Sequence, residues 1–303
     1  MAQPNMKHPT SKSENTVREE SWNFGFWSAF TRGKAWKAGK YPLLSILAFF
    51  YLVPVIVLIM TSFKTQIQIM SKAPSWIFMP TLANYRNVLM EQGFFRYLIN
   101  SLITGSVATF FTLIIGGFAS YALVRFNFIG RGTISFSTLL LRMIPPAVLV
   151  VPIYVLWTFF HLADTRLGLI IVYIGFNLPF TIWVLISFIS DIPLELEEAA
   201  VVDGCGPWKI FFQIILPLIK PGLAAAAIFT FRIAWNEFLL ALVLTNRVTR
   251  TLPVATTIYL TDIGVEWGNI TAMGTLVALP AILFTFLAAR QLIAGLTAGA
   301  VKT

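Results

Sequence analysis

Two groups of polar residues stand out in this otherwise apolar chain. Glu195, Glu197, Glu198 and Asp203 crowd into one short stretch between Pro193 and Pro207. Arg142, Arg232 and Glu237 lie inside long apolar runs, with Trp235 and Asn236 beside the glutamate and Asn177 in a neighbouring run. Carboxylates can move protons, hold metal ions or dock against cations. Acid–base and metal chemistry both need converging partners at set spacings. The two histidines, His8 and His161, are remote in sequence from either group, and no cluster has metal-ligand spacing. A nucleophile elbow is absent, as is the Gly-x-x-x-x-Gly-Lys-Ser/Thr run that would cradle phosphates. The sequence therefore predicts no catalytic residues, no metal and no bound cofactor.

The elements that must position these residues are membrane spans. Hydrophobic residues make up 57% of the chain and charged ones 12%, against roughly 25% charged in a soluble domain. Too few charges remain to solvate a globular surface, so lipid must face much of the protein. A spanning helix needs about 20 apolar residues, and in lipid the backbone must satisfy its own hydrogen bonds. Six runs qualify: Tyr41–Phe63, Leu98–Val124, Thr133–Phe160, Leu167–Ile189, Gly222–Leu244 and Met273–Ile293. An all-α membrane protein follows, with a tail over 1–40, a six-helix domain over 41–293 and a second tail over 294–303. The net charge of +9 does not imply nucleic acid, because apolar runs separate the basic residues. With the N-terminus inside, the inner segments hold thirteen Lys and Arg and the outer ones seven, which predicts both termini in the cytoplasm. Trp22, Phe24, Phe26, Trp27, Phe30 and Trp36, mixed with Arg32, Lys34 and Lys37, suit a helix in the membrane interface or a tail with incidental aromatics. The first forty residues lack the pattern of a signal peptide. Cys205 is the single cysteine, so no internal disulfide can form.

Segment 190–221 is too polar to span, yet it carries helix signals. Pro193 suits a first turn, and Glu195, Glu197 and Glu198 follow where carboxylates complement the helix dipole. Asp203-Gly204 breaks this helix and Pro207 starts another, with Trp208, Ile210, Phe211, Ile214 and Ile215 as an apolar group. Two short helices at an angle, with a carboxylate-rich front, result. On physical grounds they are either a docking element or a structured loop.

The run Glu198-Ala199-Ala200-Val201-Val202-Asp203-Gly204, followed by Ile215-Leu216-Pro217, resembles the EAA motif of ABC importer permeases. Tyr97 to Ser101, Ala119 to Phe126, Met143 to Pro146, Asn177 to Phe180, Trp235 to Phe238 and the closing Gly295 to Lys302 are similar to carbohydrate permeases of the MalG-like family. The resemblance covers nearly all of the membrane part and omits the first forty residues. It implies a type I ABC importer transmembrane domain in the bacterial inner membrane. It further implies a second, MalF-like permease, two ATPase subunits carrying ATP and Mg, and a periplasmic or extracellular solute-binding protein that delivers a sugar-like substrate. In that picture Glu197, Glu198, Ala199, Ala200, Asp203 and Gly204 couple to the ATPase. Glu198 meets a basic side chain, the alanines permit close approach and Gly204 sets the turn. Gly295, Gly299 and Lys302 would reach toward the ATPase dimer, or end as a frayed terminus.

Asn177, Arg142, Arg232, Trp235, Asn236 and Glu237 are the candidates for the solute path, or else charges and amides that hold helices or the second permease. Ionisable groups in spans cost enough that they face cavities or partners. Arg232 and Glu237 are five positions apart, roughly 140° around a helix, so they need not pair. Arg142 is expected near a helix end, snorkelling outward. Pro145-Pro146 should kink the third span. A secondary transporter of a small polar solute is the alternative, but no internal repeat supports it.

Overall fold

The computed structural model describes residues 34–71 and 76–300, with side chains between 40 and 286. The aromatics expected at the interface between Trp22 and Phe30 lie outside the described residues, as does Lys302. Gly295 and Gly299 fall in the final turns of the last helix. The chain divides into two units, Met1–Val55 and Ile56–Thr303. Helix α1 (Lys34–Ser62) begins in the first, where Tyr41, Phe49, Phe50 and Tyr51 are exposed.

The second unit is built on α2 (Phe94–Arg125), which packs along α5 (Arg166–Ser190). Close approach explains the pairing: a Cβ on Gly116 would sit 2.7 Å from Thr181 Cγ2. Several polar groups between these helices are satisfied internally, which lipid favours. Ser120 donates to the carbonyls of Gly116 and Ile182 at 2.6 and 3.1 Å, and Thr181 bonds Thr230 at 3.1 Å. Helix α8 (Lys220–Asn236) crosses both and also packs on α10 (Trp267–Ala300).

Among the described residues, four helices are long and apolar enough to cross a membrane: Lys40–Ser62, Phe94–Arg125, Arg166–Ser190 and Trp267–Phe286. Two bent pairs, Arg131–Met143 with Pro146–Phe159 and Pro207–Leu218 with Lys220–Asn236, bring the number up to six if each pair is one span, which accords with the count expected from the sequence. The third span is not one kinked helix. It is α3 (Arg131–Met143) followed by α4 (Pro146–Phe159), set at 99°. The local reason is plain. Ile144 and Pro145 each precede a proline, which drives both to extended backbone, with ψ of 118° and 133°. The fifth span is likewise interrupted: α8 stops at Asn236, and a short α9 (Leu239–Leu244) follows.

Between α5 and α8 lie α6 (Glu195–Val202) and α7 (Pro207–Leu218), the two short helices expected there. Helix α7 meets α8 at 75° and widens to a π-helix over Phe211–Ile215, just before Pro217. On the opposite side of the unit, short helical turns and a two-stranded antiparallel ladder, Leu260–Thr261 with Gly264–Val265, fill the segment after α9. Asn100 pins this segment by donating to the Val248 and Arg250 carbonyls at 2.8 and 2.9 Å. Burial, reinforced by the charge of Glu266, raises the pKa of the Tyr259 hydroxyl there.

Candidate functional site

Helix α6 presents two faces of different character. Glu195, Glu198, Ala199 and Val202 are exposed and share one stripe at i, i+3, i+4 and i+7. Glu197 and Ala200 are buried on the other side. The carboxylates of Glu195, Glu197 and Glu198 all lie in the first turn, where the dipole favours negative charge. The helix ends in a Schellman motif: Gly204 N–H donates to Val201 O at 3.0 Å and Cys205 N–H to Ala200 O at 2.9 Å. Gly204 takes φ of +80°, a conformation that a side chain would strain. Ala200 and Cys205 then pack with Tyr121, Ile189, Ile210 and Phe211.

Glu197, expected on the docking front, is instead turned inward. Its carboxylate pairs with Arg125 Nε, and Tyr121 Oη donates to it at 2.9 Å. Arg125 Nη2 also donates to the carbonyls of Ile189 and Ile192, at 3.1 and 2.8 Å. The Ile189 carbonyl is at the C-terminal end of α5, where helix acceptors lack intrahelical partners, and the Ile192 carbonyl lies just beyond it. One guanidinium thus fastens the end of α2, the end of α5 and the start of α6 together. Sequence reasoning did not find this latch. The i, i+3 pairing of Glu197 with Ala200 on the face opposite Glu198 was its signal. Asp203 and Gly204 are both exposed at the turn. An exposed stripe of two carboxylates beside small apolar groups, held on an anchored helix, fits a basic-rimmed apolar groove on a soluble partner. Trp208, also exposed, extends it.

The second cluster gathers around an open cavity of about 610 Å³ between α3, α4, α5 and α8. Arg142, Asn177 and Glu237 line it, among mostly apolar neighbours. Asn177 is buried, donates to Tyr173 O at 2.8 Å, and leaves its Oδ1 without a partner among the described residues. Glu237 lies outside α8. Its carboxylate accepts from Leu240 N–H at 2.8 Å, Ala241 N–H at 2.9 Å and Tyr173 Oη at 3.1 Å, so it caps α9. Arg142 is in the last turn of α3, at the break, and its guanidinium lies 4.7 Å from the Phe180 ring centroid. It is exposed at the end of its helix, as its sequence position suggested. Insertion of such a cation costs about 2.5–3.5 kcal/mol at mid-membrane, which the ring and the open cavity partly offset. Trp235 is not in the cavity. It is buried against Phe231 and Phe284, and its Nε1 donates to Val277 O at 3.3 Å. Arg232 and Asn236 are exposed, and Asn236 Nδ2 donates to Arg232 O at 2.9 Å.

The fold and these two features define a polytopic membrane component with an anchored, carboxylate-bearing short helix and a mostly apolar cavity that holds a few polar groups between its helices. Residues 112–297 match the binding-protein-dependent transport system inner membrane components, and the chain belongs to that family. It is 39% identical to the probable ABC transporter permease protein y4oR of Sinorhizobium fredii, over 85% of this chain and 92% of that one. It is also 39% identical to the trehalose transport system permease protein SugB of Mycobacterium tuberculosis, over 73% and 82%. A bacterial ABC transporter involved in the import of the acidic polysaccharide alginate shares the fold, with a TM-score of 0.72 at 20% identity, covering 85% of this chain and 96% of that one. The protein is therefore a multi-pass inner-membrane component of an ABC importer.

Proposed function

We propose that the chain is one of two permease subunits of an importer for a sugar or sugar derivative. The relatives named for sugar transport support the cargo class. A second, MalF-like permease completes the path, a solute-binding protein delivers cargo from outside, and two ATPase subunits supply ATP and Mg chemistry at the inner face. Both termini lie in the cytoplasm. The observation that carries this reading is the two-faced α6: Glu198, Ala199 and Glu195 point outward while the Arg125–Glu197 pair holds the helix to α2 and α5. Closure of the ATPases would then move α6, and the latch would pass that movement to the spans. The segment bearing Gly295, Gly299 and Lys302 reaches toward the ATPase dimer. Solute passes the cavity lined by Arg142, Asn177 and Glu237. Glu237 acts there through its capping of α9 more than as a free acceptor, and Trp235 supports the wall from behind.

Co-purification from cells expressing the neighbouring transporter genes tests this. The wild type should bring down a second permease and an ATPase. Glu198→Arg and Gly204→Pro should keep the permease and lose the ATPase. Solitary purification, or ATPase retention by both variants, overturns the docking assignment.

A further inference from the structure

On the side of the unit away from α6, a cleft of about 700 Å³ opens between the short helix Gln66–Ile69, the chain over 84–87, the ladder over 260–265 and the start of α10. Its polar lining includes Gln66, Asn84, Asn87, Glu266 and Asn269, with the half-exposed ring of Trp267 beside them. The four amides are arranged alike. Gln66 Nε2 donates to Val265 O at 2.8 Å, and Asn84 Nδ2 to Ser62 O and Lys64 O at 2.8 Å each. Asn87 Nδ2 donates to the Glu91 carboxylate at 3.4 Å and Asn269 Nδ2 to Glu266 Oε2 at 2.6 Å. Carbonyls and carboxylates only accept, so turning any amide over would set acceptor against acceptor. The NH2 groups are thus spent on the protein and the amide oxygens are left over. Among the described residues none of those four oxygens accepts a hydrogen bond, and Oδ1 of Asn87 and of Asn269 is buried in that state. A buried acceptor without a donor is costly. The walls are also fixed in place: a capping box between Thr65 and Gln68 holds the turn that carries Gln66, and Glu266 N–H donates to Tyr259 O at 3.0 Å.

A cleft with surplus acceptors selects a ligand rich in donors. An anionic group would meet the Glu266 carboxylate and the amide oxygens. A calcium ion is held by six to eight close oxygens, commonly several carboxylates, whereas Glu266 is the carboxylate of this lining and the space is many times an ion's size. Sugar hydroxyls donate in several directions at once, and the apolar face of a sugar ring stacks on an indole. We propose that this cleft is a sugar site on the outer face, where one neutral, hydroxyl-rich unit of the cargo lies against Trp267 and donates to the oxygens of Gln66, Asn84, Asn87 and Asn269. This rests on the sugar-importer reading above. It adds a place of contact that shares no residue with the cavity of Arg142, Asn177 and Glu237.

The test uses the assembled importer in lipid nanodiscs without its solute-binding protein, so that sugar bound is sugar held by the permeases. Glucose, galactose, maltose, cellobiose and sucrose are titrated, with glucuronate and calcium as contrasts, and binding is read by calorimetry. Wild type is compared with Trp267→Ala, Trp267→Phe and Gln66→Ala at equal amounts of assembled complex. A neutral sugar should bind wild type more tightly than glucuronate does. Trp267→Ala and Gln66→Ala should each weaken it about three- to tenfold, with Trp267→Phe restoring part. Unchanged binding in both Ala variants overturns the proposal and leaves the sugar reading intact, because the sugar then sits elsewhere. Glucuronate binding as tight as any neutral sugar overturns it. Calcium binding that the variants abolish makes the cleft a cation site and overturns it. So does loss of the solute-binding protein from variants that bind sugar normally, which makes the cleft a docking surface. An importer that transports one of these sugars with its solute-binding protein, yet binds none without it, overturns it too. A complex that neither binds nor transports any sugar removes the sugar reading and this proposal together.

Discussion

Arg125→Ala would strip the cation from a carboxylate that has little contact with water. The side chains are 12% and 8% exposed for Arg125 and Glu197. Removing one member of a buried ion pair costs about 3–5 kcal/mol, because the other charge stays behind unmatched. The Ile189 and Ile192 carbonyls lose the guanidinium's N–H as well. Glu197→Gln should cost less, about 1.5–3 kcal/mol, since Arg125 keeps both carbonyls and Tyr121 keeps a partner. Replacing both, as Arg125→Met with Glu197→Leu, exchanges the pair for apolar contacts near Ile189, Ala200 and Phe211. Such exchanges are often neutral, so this double variant should recover most of the loss. Thermal denaturation of the purified complex, read as monodisperse protein after heating, gives the ranking. On the scale of soluble domains this size, Arg125→Ala should fall by roughly 6–20 °C. Glu197→Gln should fall between it and wild type, with the double variant closest to wild type. In proteoliposomes Arg125→Ala should also hydrolyse ATP with reduced transport per ATP. An Arg125→Ala protein as stable as wild type, or a double variant less stable than either single one, would refute the latch.

Other features give separate tests. Gly116→Leu should drive α2 from α5 at Thr181 and cost about 1–3 kcal/mol or more, seen as loss of monodisperse protein. Trp235→Ala should destabilise by about 3–5 kcal/mol in the same heating assay, while leaving the order of sugar preferences unchanged, because the ring is packed away from the cavity. Glu237→Ala should uncap α9 for about 0.5–2 kcal/mol, and Glu237→Gln should retain part of that. Comparable melting of Glu237→Ala and wild type would contradict the capping role.

Much of this protein was legible from residue order. The apolar runs marked the spans, since lipid leaves the backbone few alternatives. Proline, glycine and clustered glutamates marked α6 and α7. What escaped the reading depended on direction. Hydropathy averaged over a window does not show that Ile144 and Pro145 both turn extended, so a 99° break looked like a kink. Glu237 appeared inside a span because α8 and α9 are both apolar, although the chain leaves the helix between them. Glu197 and Glu198 are neighbours with the same charge, yet a rotation of about 100° sends one to Arg125 and the other outward. Only the tertiary partner separates them.

The central claim is that the outer stripe of α6 seats in an ATPase subunit. With Cys205→Ser as background, Ala199→Cys and Ala200→Cys can each be treated in membranes holding the whole importer with a short maleimide–succinimidyl ester, which joins the new thiol to a lysine amine of the partner. The exposed position 199 should cross-link to the ATPase, and the buried position 200 should not. A cross-link from 200 alone, or from neither position in a complex that still hydrolyses ATP, would contradict the account.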